Sequence, residues 1–133
     1  MPKQVLKLST PTTFPPGIPA GIPYSSGTKA GGFVFVSGQV GPIDYKGKEI
    51  KGVEAQTRQL LENVKNILEA GGASLSDVVK TTVFLLDVSE FAAMNKVYGE
   101  YFPKECPARS TVIISALAKP EWQVEIECIA YHP

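Results

Sequence analysis

A single histidine, His132, lies one residue from the end of the sequence, and that scarcity excludes much. A Ser-His-Asp or Cys-His centre would have to use it, and a chain tail is a poor place to hold an imidazole in register. His132 therefore reads as a solvated tail residue. Cysteine is almost as sparse. Cys106 and Cys128 are far apart and form no Cys-x-x-Cys motif. Two free, inert thiols in a reducing compartment are expected, and no metal site, because zinc recruits several His or Cys ligands. Neither sign of charge is in excess, with 13 basic and 13 acidic residues. Nucleic acid and anionic membranes both call for a basic surplus or stripe, so both are disfavoured as partners. No apolar run approaches the ~20 residues of a membrane span. Met1-Pro2-Lys3 lacks the apolar core of a secretory signal, and a cytoplasmic location is expected.

What is present suits one globular domain spanning 1–133. The chain is 44% hydrophobic and 20% charged, enough apolar material for a real core. Gln4 to Leu8 reads as an edge strand. Between Pro11 and Pro23 five prolines accompany Gly17 and Gly21, which predicts a loop without a ladder. Gly31-Gly32 joins two strands as a hairpin, the second being Phe33 to Ser37. Val53 to Ala70 is the clearest helix, with Thr57, Leu60, Leu61, Val64, Ile67 and Leu68 on one face and Gly71 as its left-handed stop. Val78 to Leu86 is β-branched and strand-like. A second helix, capped by Asp87 or Ser89 and ended by Pro103, carries Phe91, Met94, Tyr98, Tyr101 and Phe102 toward the core. Two strands follow, Ala108 to Ala116 and Gln123 to Tyr131. Two helices cover one face of a sheet, so the fold class is α+β: a two-layer sandwich with a mixed sheet of about six strands.

Alternation along the last two strands sorts their side chains. Val124, Ile126, Cys128 and Ala130 share one face, and Glu125, Glu127, Ile129 and Tyr131 the other. Arg109, Thr111 and Ile113 are expected to join the second set on the uncovered face. Large apolar residues among charges there predict an oligomer interface. Arg109 and Glu125 are then either a structural ion pair or a site, with Arg109 holding a carboxylate by its planar fork and Glu125 handling protons.

Short motifs occur in order: Tyr24-Ser25, Phe35-Val36-Ser37-Gly38-Gln39, Gln56-Thr57-Arg58-Gln59, Asp77 to Leu85, Asn95-Lys96-Val97-Tyr98, Pro107-Ala108-Arg109-Ser110 and Glu125-Ile126-Glu127. Together they resemble the Rid family (YjgF-like, also labelled L-PSP endoribonucleases) from about Tyr24 to Ala130. The resemblance implies a chorismate-mutase-like fold and a homotrimer with clefts between subunits. It implies hydrolysis of 2-aminoacrylate and related 2-imino acids, such as 2-iminobutanoate and 2-iminopropanoate, to 2-keto acids and ammonia. Arg109 would hold the substrate carboxylate and Glu125 would position or activate water. Tyr24, Ser37, Gly38 and Thr111 would line the cleft, and no metal or organic cofactor is implied. Two departures stand out: Thr111 occupies a position where cysteine or another small residue is usual, and the loop before Tyr24 is longer and richer in proline, which would reshape the cleft mouth. The rival readings are a single-stranded RNA endoribonuclease or translation inhibitor, and a non-catalytic trimeric binder of small carboxylic acids.

Overall fold

Gly31 takes up a left-handed conformation (φ 58°) and turns strand β2 (Gly27–Ala30) back on strand β3 (Phe33–Gln39) as the expected hairpin. The computed structural model describes residues 2–8 and 22–133, so most of the proline-rich loop lies outside the described residues. A short strand β1 (Gln4–Val5) pairs with β2 at one edge. Helix α1 (Val53–Ala70) follows, then strand β4 (Val78–Leu85), helix α2 (Phe91–Tyr101), and strands β5 (Ala108–Ile113) and β6 (Val124–Tyr131). The sheet has six strands in the order β1-β2-β3-β6-β4-β5. All neighbours are antiparallel except β4 and β5, which run parallel and leave β5 as the outer edge.

Both helices cover one face. Leu60, Leu61, Val64, Ile67 and Leu68 of α1 are buried against Val34, Val36, Ile126, Cys128 and Ala130 of the sheet. Each of the Leu, Ile and Val side chains among them contributes about 1.5–3 kcal/mol on burial. The helix has no side-chain cap of its own at its start. Instead Gly52 N–H donates to Gln123 Oε1 at 2.7 Å, and buried Gln56 binds Ile50 O (2.9 Å), Glu121 O (3.0 Å) and Gln123 N–H (2.9 Å). At its other end Lys29 Nζ donates to Gly71 O at 2.9 Å, a cation on the negative end of the helix dipole. The left-handed residue there is Gly72 (φ 80°), not Gly71 as expected, because the chain runs one residue further before it reverses.

Asp87 accepts from Ser89 N–H at 2.8 Å and caps a short 3₁₀ turn, Val88–Glu90, that leads into α2. Met94, Tyr98 and Phe102 are buried as expected, but Phe91 is 39% exposed. It sits at the start of α2, where its ring lies against the Arg109 guanidinium instead of in the core. His132 is not a free tail residue. Its backbone N–H donates to Gly32 O at 2.7 Å, and its Nδ1 lies 3.3 Å from Asp77 Oδ2.

Candidate functional site

Register decides which face each candidate occupies. Along β6, Glu125 pairs with Phe84 and Glu127 with Thr82, while buried Val83 and Leu85 face Ile126 and Val124. Glu125, Glu127, Ile129 and Tyr131 therefore do lie on the uncovered face. In β5, Arg109 pairs with buried Thr81, Thr111 with buried Val83, and Ile113 with buried Leu85. Residues paired across a ladder project to one side. Arg109, Thr111 and Ile113 thus lie on the helix side, opposite to the face expected. Alternation groups residues into sets but does not say which set is covered, and at an edge strand a charged residue can occupy the covered side by reaching past the sheet.

Arg109 reaches α2. Its Nη1 donates to Asn95 Oδ1 at 2.8 Å, and its Cζ lies 4.7 Å from the Tyr98 ring centroid and 5.6 Å from that of Phe91. Tyr98 Oη and Thr81 Oγ1 share a buried hydrogen bond of 2.7 Å. Among the described residues no carboxylate pairs with Arg109. The structural ion pair with Glu125 is excluded within one chain. The two residues sit two strands apart, about 10 Å across the sheet, are offset by a further three residues along the strands, and lie on opposite faces.

Glu125 meets one of the other candidates, Gly38. Its carboxyl lies against the bare Cα of Gly38, where any Cβ would overlap it. Burial, aided by Glu127, pushes its pKa above the usual carboxylate value. Ser37 Oγ donates to Ser25 O at 2.5 Å, and Ser37 N–H to Ser26 O at 2.9 Å, which ties the segment after Tyr24 to β3. Tyr24 is largely exposed, and partial burial raises its phenol pKa. Beside them a depression of about 220 Å³ is lined by Thr28, Phe35, Ser37, Glu127 and Ile129. Phe33, Phe35, Val112 and Tyr131 are exposed on this face, with the Phe33 and Tyr131 rings 4.9 Å apart. Among the described residues no group of three or more His, Cys, Asp or Glu is placed to hold a metal ion.

The candidates thus form two clusters, Arg109 with Thr111 on the helix side, and Glu125 with Ser37 and Gly38 on the bare side. Sequence reasoning missed Asn95 and the roles of Phe91 and Tyr98 beside Arg109. The signal was present: Phe91, Asn95 and Tyr98 recur at i, i+4 and i+7, one stripe of a helix with a lone amide in it.

A family model described as endoribonuclease L-PSP matches residues 17–132. The chain belongs to this family, the YjgF or Rid proteins. It is 55% identical over 111 residues to a RutC family protein of Pyrococcus horikoshii, covering 82% of this chain and 86% of that one. It is 48% identical over 109 residues to the chloroplastic Reactive Intermediate Deaminase A of Arabidopsis thaliana, covering 81% of this chain and 58% of that protein. Among solved structures, Escherichia coli TdcF with bound serine superposes with a TM-score of 0.83 at 35% identity, over 98% of this chain and 99% of that one. The six-stranded mixed sheet with its two helices is the chorismate-mutase-like fold of Rid proteins. Among the described residues no helix is long and apolar enough to cross a membrane. A chloroplastic relative shows that Rid proteins are not confined to the cytoplasm.

Proposed function

We propose that this Rid protein hydrolyses 2-imino acids, formed from 2-aminoacrylate and related enamines, to 2-keto acids and ammonia. The observation that carries this reading is the complementary state of two groups. Arg109 is a cationic fork with no carboxylate partner among the described residues, and Glu125 is a carboxyl of raised proton affinity. The first suits a substrate carboxylate. The second, holding a proton more readily than an ordinary carboxylate, suits proton transfer. The Arabidopsis relative's name and the serine bound to TdcF, itself a small amino acid with a carboxylate, support the same substrate class.

Because the two groups face opposite sides, the proposed site is shared between copies. A second copy laid over the apolar bare face brings its own edge strand β5 toward Glu125, and a homotrimer closes three such clefts. In each cleft Arg109 of one copy holds the carboxylate, with Thr111 beside it. Glu125, Ser37, Gly38 and Tyr24 of the next copy line the opposite wall. Water oxygen bonds to the imine carbon as Glu125 accepts its proton. Glu125 returns that proton to the nitrogen, giving a carbinolamine. The hydroxyl proton then passes by way of Glu125 to the same nitrogen, the oxygen pair closes the carbon–oxygen double bond of the keto acid, and the carbon–nitrogen bond breaks with its electron pair leaving on ammonia.

The test follows keto acid and ammonia release from freshly generated 2-iminopropanoate, with single-stranded RNA as a second substrate. Acceleration over the spontaneous rate, lost in Arg109→Lys, is the expected result. An unaltered imine rate together with RNA cleavage would replace this reading with the endoribonuclease one. Binding of pyruvate without any acceleration would leave a carboxylate binder.

A further inference from the structure

An arginine side chain free to sample rotamers loses affinity for every carboxylate that must first immobilise it. Arg109 is already immobilised. One arm, Nη1, is committed to Asn95 Oδ1 at 2.8 Å. The guanidinium carbon lies 4.7 Å from the centroid of Tyr98, whose hydroxyl is bound to Thr81 at 2.7 Å. Thr81 is the ladder partner of Arg109. The links therefore close a ring: from β5 to α2 through the guanidinium, and from α2 back to the adjacent residue of β4 through the phenol. The Nε–H and Nη2–H edge of the guanidinium has no protein partner among the described residues. That edge presents two parallel donors, the geometry a carboxylate accepts side-on.

We propose that Asn95 is a positioning residue that fixes the Arg109 fork for the substrate carboxylate, and that its neutrality is essential. The proposal rests on the reading that Arg109 binds that carboxylate. An amide oxygen takes one guanidinium hydrogen and leaves the positive charge uncompensated. A carboxylate at the same place would hold Arg109 more strongly and neutralise it, so that the free edge would meet the substrate with its positive charge already compensated.

Two variants separate positioning from mere attachment of α2 to β5. If Asn95 only staples the helix, Asn95→Asp strengthens the staple and leaves function intact. Positioning requires stability and function to move apart. Asn95→Asp is expected to keep or raise the melting temperature while KM for 2-iminopropanoate rises by about tenfold or more, with kcat within about threefold of the parent. Asn95→Ala is expected to raise KM several-fold. A readout without substrate completes the test: the ¹⁵N resonance of Arg109 Nε–H is rigid in the parent and motionally averaged in Asn95→Ala. A parent that neither binds nor turns over keto or imino acids removes the reading of function, and the resonance alone then decides whether Asn95 orders Arg109. A parent-like KM in Asn95→Asp, or an unchanged resonance in Asn95→Ala, overturns the proposal.

Discussion

Arg109 and Glu125 face away from each other across one sheet, Arg109 turned toward α2 and Glu125 toward the bare side. A site that uses both must take them from different copies. Arg109→Lys and Glu125→Gln should each be nearly inactive alone, since lysine loses the fork and glutamine cannot take a proton. Co-assembled in equal amounts, they should recover about one quarter of the parent activity, the share of clefts in a random trimer that draw both native groups. No recovery, with mixed oligomers demonstrated by mass spectrometry, would return the site to a single chain.

Gly38 offers a narrower test. A methyl group there overlaps the Glu125 carboxyl, which is the movable end of a side chain and can swing aside. Gly38→Ala should therefore change stability by no more than about 1 kcal/mol, yet reduce turnover by about tenfold through displacement of Glu125. Urea melts and kcat measured on the same preparation check both halves.

The bare face should tolerate charge in the monomer but not in the assembly. Phe35 is 41% exposed and faces Ile129 across the ladder. Phe35→Glu should leave the circular dichroism spectrum unchanged, shift the light-scattering mass from three times 14.3 kDa toward 14.3 kDa, and abolish activity. An intact trimer would place the interface elsewhere.

The two thiols should behave oppositely. Cys106 is exposed and should react at once with a thiol reagent, whereas Cys128 is buried and should react only on unfolding. Burial, with Glu127 adding to it, pushes the Cys128 thiol from its usual 9.0 up to about 12. The folded state thus favours the protonated thiol. Its contribution is fully present below the usual value and is lost as pH rises toward about 12. The parent should lose stability over that interval, and Cys128→Ala should lose less, as read from urea midpoints across the alkaline range.

Helix α1 was legible to the residue because an apolar stripe at helical spacing ran from Val53 to Ala70 without a competing pattern. The faces of β6 were legible for the same kind of reason. The side taken by β5 was not. Its strand order and parallel pairing with β4 arise from connections that no local pattern records, and Ser110 and Val112 look as coverable as Thr111 and Ile113. Phe91 misled because it continues the apolar stripe of α2 but lies against Arg109 of the edge strand, outside the core. Gly71 and Gly72 are adjacent, and either satisfies the stop signal that the sequence displays. Arg109 and Glu125 themselves were legible as chemistry, a fork and an acid, but not as neighbours or strangers in space.

The order of assembly follows from where β6 sits. Strand β6 lies between β3 and β4, so the β1-β2-β3 ribbon and the β4-β5 pair share no ladder until it arrives. During synthesis the two halves are complete before the piece that joins them exists. Completing the sheet therefore takes a long-range insertion, a non-local step that is expected to slow folding more than the local turns do. Damage to the wedge, such as a proline within Val124–Tyr131, would leave two separate half-sheets, not one frayed edge.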